Sequence, residues 1–206
     1  MGLLSSIRGV WIAGIGLSIL LALSVNLING DGLFAFNTLA LIRWAHIVAG
    51  IIWVGLLYYF NFVQMPAMAA ATADENGPGP AAIGRYILPR ALLWFRWAAL
   101  ATWGTGALYL LTTGQLLSVF TLGLSSGDTE YALALGVGVW LGTILLFNVW
   151  AILWPNQKKL MGLVSGVNEA ELAKAKTRVA TVARVNAVLS IPMLMFMVAG
   201  GHGVAL

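Results

Sequence analysis

Long apolar runs separated by short polar stretches set the pattern of this chain. A helix rising 1.5 Å per residue needs about 20 mostly apolar residues to cross a bilayer core. Five runs reach that length: about 9–28 (GVWIAGIGLSILLALSVNLI), 39–64 (LALIRWAHIVAGIIWVGLLYYFNFVQ), 91–113, 132–154 and 180–199. They predict an all-α integral membrane helical bundle of about five spans, a single transmembrane domain over residues 1–206. Turns are expected at NGDG (29–32) and SSGDTE (125–130), with Asp128 capping the fourth span. The stretch 65–90, rich in Ala, Gly and Pro, predicts a long loop with a short interfacial helix. Beyond Pro155 the chain turns polar, and residues 171–178 predict a solvated or headgroup-facing helix that feeds the fifth span. Arg8 precedes an apolar run of full spanning length with no clear cleavage site, so the first span is expected to be retained, not cleaved as a signal peptide.

Composition agrees with this pattern. The chain is 60% hydrophobic and 9% charged, where soluble domains carry about 25% charged residues. Membrane lipids are therefore the first expected partner, and nine Trp suit interfacial belts. The net charge of +4 calls for no nucleic acid, because the basic residues gather in particular connections. Arg8, then Arg85, Arg90 and Arg96, then Lys158, Lys159, Lys174, Lys176, Arg178 and Arg184 fall on one side of a five-span topology. That side is predicted to be cytoplasmic, with the N-terminus on it and the C-terminus outside. The absence of Cys excludes disulfides, thiolate metal sites, a catalytic cysteine and a covalently attached c-type haem.

The chemistry-bearing candidates are the two histidines, His46 and His202. The predicted topology puts His46 one to two turns below the outer surface and His202 at that surface. On the second span Arg43, His46, Gly50 and Trp53 follow at spacings of three, four and three and form one stripe. An imidazole to ligate iron, a Gly to admit a flat macrocycle and an Arg to pair a propionate are what a b-type haem requires. His202 is the candidate second ligand, provided both rings are level. Otherwise Gly200, Gly201 and Gly203 must let the tail fold inward. The plainer alternative is that His46 hydrogen-bonds a neighbouring helix and His202 is a solvated tail residue.

Other features point to packing. Met193, Met195 and Met197 offer soft thioethers, but alternate helical positions face different ways. Asn61, Asn148 and Asn186 predict interhelical hydrogen bonds, and Gly138 with Gly142 predicts close helix approach. Gly104 and Gly106 add surface for close approach, and Pro192 is expected to bend the fifth span. None of the seven acidic residues falls in the core of a span, which disfavours a carboxylate-based pump.

RWAHIVAGIIWVGLLYYFNFV (43–63), WFRWAALATWGTGALYL (94–110), LFNVWAILWPNQKKLMG (146–162) and ARVNAVLSIPMLMFMVAGGH (183–202) occur in this order. Together they resemble the N-terminal membrane-domain family of the bacterial urate hydroxylases (urate oxidases), whose last block also ends in His. The resemblance implies a bacterial inner-membrane location and a membrane redox site at His46 and His202. It also implies electron passage to a periplasmic cytochrome c, a domain that longer members carry after the last helix. This chain ends four residues after His202, and Ala98 stands where that family's motif has an acidic residue. The expectation is thus a haem b electron-transfer protein. The alternatives are an accessory subunit of a larger membrane complex and a urate-oxidising enzyme.

Overall fold

The computed structural model describes the backbone of residues 3–30, 37–125 and 129–202, and the side chains of these except residues 3, 129, 201 and 202. Among the described residues the regular structure is all helical. A 3₁₀ turn (Leu3–Ser5) precedes α1 (Ile7–Asn29), α2 (Thr38–Tyr58), α3 (Met65–Ala73), α4 (Leu88–Thr112), α5 (Leu116–Phe120), α6 (Thr129–Phe147), α7 (Trp154–Leu160) and α8 (Glu169–His202). Asp128, the expected cap, and Asp31 and Gly32 of the expected NGDG turn lie outside the described residues. Among the described residues four continuous helices are long and apolar enough to cross a membrane: Ile7–Asn29, Thr38–Ala73, Glu130–Leu160 and Glu169–Gly200. The expected third span is a helix of 25 residues, α4. It carries Arg90, Arg96, three Thr and two Gly, and is correspondingly less apolar.

Three helices are longer than the pattern predicts, and a π-helical stretch ahead of a proline accounts for each. The second span does not stop at residue 64 but runs on through a π-helical stretch, Tyr59–Gln64, into α3. The fourth does likewise through Asn148–Leu153 into α7, and a third π stretch, Ile83–Ile87, leads into α4. Each stretch ends two residues before a proline: Pro66, Pro89 and Pro155. A proline inside an α-helix collides with the carbonyl four residues back and leaves it without a donor. Those carbonyls belong to Phe62, Arg85 and Ala151, all inside the π stretches. The wider π turn makes room for the ring, and the helix continues. Most of the expected loop is therefore helix, with residues 74–80 between.

The chain forms two compact units, Met1–Leu41 and Ile42–Leu206. The first is dominated by α1, which is apolar on every face. Ser6 Oγ caps its start by accepting from Gly9 N at 3.0 Å. Gly30, at φ 75°, closes its end in a left-handed conformation that costs a glycine little. Ser18 and Ser24 turn their hydroxyls back to Gly14 O (2.9 Å) and Leu20 O (2.8 Å). This satisfies the hydroxyls locally, as an apolar solvent requires.

The second unit packs around Trp53, Leu57, Phe95, Ala99, Leu145, Val149, Leu153 and Met193. Lipid tails are as apolar as these side chains, so close packing and interhelical hydrogen bonds hold such a core. The tightest seam joins α6 to α8. A Cβ on Gly138 would stand 3.1 Å from Met197 N, and one on Gly142 would meet Met193 Sδ at 3.6 Å. Gly138 thus admits the backbone of α8, and the side chains of Met193 and Met197 pack at Gly142, while Met195 is 43% exposed. Below these glycines, fully buried Asn186 accepts from Asn148 Nδ2 at 2.7 Å and donates to Leu145 O at 3.3 Å. Trp103 Nε1 donates to Thr143 Oγ1 at 2.9 Å and ties α4 to α6.

α2 and α8 run antiparallel. Tyr58 Oη and Ser190 Oγ are hydrogen-bonded at 3.1 Å, and Asn61 Nδ2 reaches Ala183 O at 3.4 Å. One end of this unit gathers Arg90, Lys158, Lys159 and the start of α8 with Lys174, Lys176 and Arg178; Lys159 pairs with Glu171 there at 4.0 Å. At the opposite end the described residues 110–125 hold no Lys or Arg.

Candidate functional site

The stripe on α2 faces α4. His46 Nδ1 lies 2.7 Å from the carbonyl oxygen of Thr102. A carbonyl can only accept, so Nδ1 carries the proton, and in the neutral ring Nε2 carries the lone pair. Thr105 Oγ1 stands 3.5 Å from the same nitrogen and donates its own proton to Ala101 O at 2.6 Å. The ring rests against Gly106, where a Cβ would come within 2.9 Å of His46 Cε1. The imidazole is therefore held on three sides by one turn of α4. Its Nε2 has no hydrogen-bond partner among the described residues.

The rest of the stripe has specific places. Arg43, toward the end away from the lysines, donates from Nη2 to Tyr109 Oη, with its guanidinium over the Tyr109 ring at 5.0 Å from the centroid. Gly50 faces Thr102, whose methyl would lie 3.6 Å from a Cβ there. The expected opening for a macrocycle at this glycine is filled by a neighbouring helix. Trp53 is 2% exposed, within the core, and its Nε1 has no partner. Gly50 and Trp53 thus line the helix seam, whereas His46 and Arg43 keep polar atoms toward its edge.

α8 stays helical through His202, so Gly200 and Gly201 do not fold the tail inward. The side chain of His202 lies outside the described residues, but its backbone position is informative. From the Tyr58–Ser190 bond, His46 is twelve residues back along α2 and His202 twelve residues forward along α8. On antiparallel helices both displacements point the same way and amount to about 18 Å. Counted from the Asn61–Ala183 contact, the same positions are 15 and 19 residues away, so residue 202 lies at the end of the unit that carries His46, up to about 6 Å beyond it along the helix axes.

A b-type haem can be tested against this set. An axial histidine commonly donates one ring nitrogen to a carbonyl and presents the other to the metal. His46 has that arrangement and Arg43 sits at the rim, so these two residues fit the group; Gly50 and Trp53 add no open wall. Among the described residues no three His, Cys, Asp or Glu gather to hold a bare metal ion. Thr102, Thr105 and Tyr109, which help position His46 and Arg43, escaped the sequence reading, whereas Gly106 is the close-approach surface expected there. Their spacing on α4 mirrors the α2 stripe, with Tyr109 opposite Arg43, Gly106 opposite His46 and Thr102 opposite both His46 and Gly50.

Comparison with protein-family models, with curated proteins and with solved structures finds no match to this chain.

Proposed function

We propose that this is a five-span bacterial inner-membrane protein, N-terminus cytoplasmic, that binds a b-type haem on His46 and transfers electrons to a periplasmic cytochrome c. The observation that carries this reading is the 2.7 Å contact from His46 Nδ1 to Thr102 O, which leaves Nε2 as a fixed Lewis base. His46 would hold the iron. His202, toward the same end of the unit, would be the second ligand, and Arg43 would pair a propionate. A bound haem would supply a one-electron redox centre. The chain's part is to fix the imidazole's tautomer and orientation and to put a cation beside the carboxylates. The placement of residues 46 and 202 toward one end of the unit supports one shared iron. The four-block likeness to the urate hydroxylase membrane domain supports an electron acceptor on the outer side. The test is haem content of the purified chain, followed by reduction of added soluble cytochrome c by the reduced protein.

A second reading also has a specific observation behind it. Gly50 against Thr102, Gly106 against His46 and Trp53 in the core make the stripe a helix-packing seam. On this reading the protein is a non-catalytic subunit of a larger membrane complex. Co-purification with such a complex, without absorbance of its own, would favour it. Urate oxidation rests on the resemblance alone, and urate-dependent cytochrome c reduction tests it.

A further inference from the structure

Arg96 is a buried cation without a carboxylate. It is 8% exposed, and its guanidinium carbon sits 3.4 Å from the centre of the Trp154 ring. Its Nε is sealed off and has no hydrogen-bond partner. Among the described residues the one ion pair is Lys159–Glu171, so no acidic side chain offsets Arg96. Lys158 brings a second positive charge to the same indole, its Nζ 5.7 Å from the ring centre. Trp150 Nε1, about one turn before Trp154, is also buried and unpartnered. Gln157 Oε1, about one turn after it, is in the same condition, in a residue only 8% exposed. Trp97, next to Arg96, lies edge-on to Trp150 at 5.7 Å, which fixes α4 against the helix that carries residues 150–157.

Stacking on an indole recovers part of the cost of desolvating a guanidinium, because the ring face is negative. It does nothing for the N–H edge. Arg96, Lys158 and Trp150 are donors only, and two of them are cationic. Their joint requirement is an acceptor-rich anion, and the planar fork of Arg suits an oxyanion bidentately. Gln157 Oε1 is an acceptor in need of a donor, which a hydroxyl beside that oxyanion would supply. The location is the basic end of the unit, where Arg90 adds positive field.

We infer that Arg96, Trp154, Lys158 and Gln157 form a binding site for an oxyanion bearing a neighbouring hydroxyl, taken from an anionic glycerol-headgroup lipid or from a soluble phosphate. The site lies apart from His46 and does not depend on haem binding. Native mass spectrometry of the detergent-solubilised full chain tests it, with phosphatidylglycerol and phosphatidylcholine in competition. Thermal melts with added inorganic phosphate form the second arm. Wild type should retain one phosphatidylglycerol with a preference of about tenfold, the equivalent of one charged hydrogen bond. Arg96→Gln should abolish that preference, and Arg96→Lys, which keeps charge but loses the fork, should restore it in part. A melt raised by phosphate without lipid preference would support the site and name the soluble source. Wild type that responds to neither ligand would overturn the proposal, as would a folded Arg96→Gln that responds like wild type. Should Arg96→Gln fail to fold, Lys158→Gln serves instead: a several-fold weaker preference supports the site, and an unchanged one contradicts it.

Discussion

Tyr58 Oη and Ser190 Oγ share a hydrogen bond at 3.1 Å, and that contact ties together the two histidine-bearing helices. It places residues 46 and 202 toward the same end of the unit, each about 18 Å away along its helix. If both imidazoles ligate one iron, His202→Ala should convert a six-coordinate low-spin haem to a high-spin one. Electron paramagnetic resonance of the oxidised protein reads this directly. An unchanged low-spin signal in the variant would remove His202 from the site.

Gly106 is expected to be far less replaceable than Gly104, two residues away on the same helix. A Cβ at 106 would stand 2.9 Å from His46 Cε1, whereas one at 104 meets nothing within 4 Å. Gly106→Ala must displace the imidazole or the helix and should cost about 1–3 kcal/mol. Gly104→Ala should be neutral or stabilising by up to about 1 kcal/mol, since it removes a helix-interior glycine. Thermal melts of the two variants in detergent compare them. Equal melting temperatures would mean that His46 does not rest where described.

The Asn148–Asn186 bond should appear as a coupling. Buried Asn186 also donates to Leu145 O, so Asn186→Ala should cost more than Asn148→Ala. A double-mutant cycle should give a coupling of about 0.5–1.5 kcal/mol, the range of interhelical hydrogen bonds in membranes. Strict additivity would show that the bond contributes nothing beyond its separate partners.

Run length and apolar content were enough to find α1 and the central parts of the long helices, because spanning depends on little else. Asn148, Asn186, Gly138 and Gly142 were also legible as packing positions, since polar and small residues inside an apolar run have few other uses. Pro66 and Pro155 misled. Proline usually ends a helix, and nothing local foretells that a π turn will absorb it and carry the helix on. Of the site, His46 and Arg43 stood out as ionisable groups in an apolar run. Thr102 escaped because it contributes a backbone carbonyl, which every residue has. Gly50 was legible as a close approach, but whether a macrocycle or a helix fills it depends on which helix lies opposite. Arg96 passed as one more cation in the orientation tally, because its burial arises only when Trp154 folds over it.

The most direct measurement is the reduced-minus-oxidised absorbance spectrum of the detergent-purified chain, produced with haem available, for wild type and His46→Ala. A b-type α band in wild type that disappears in a folded His46→Ala is the expected result, and it would identify His46 as an iron ligand. A flat spectrum from well-folded wild type, or a band unaffected by His46→Ala, would contradict the proposed site and leave the Thr102 contact as a helix-packing bond.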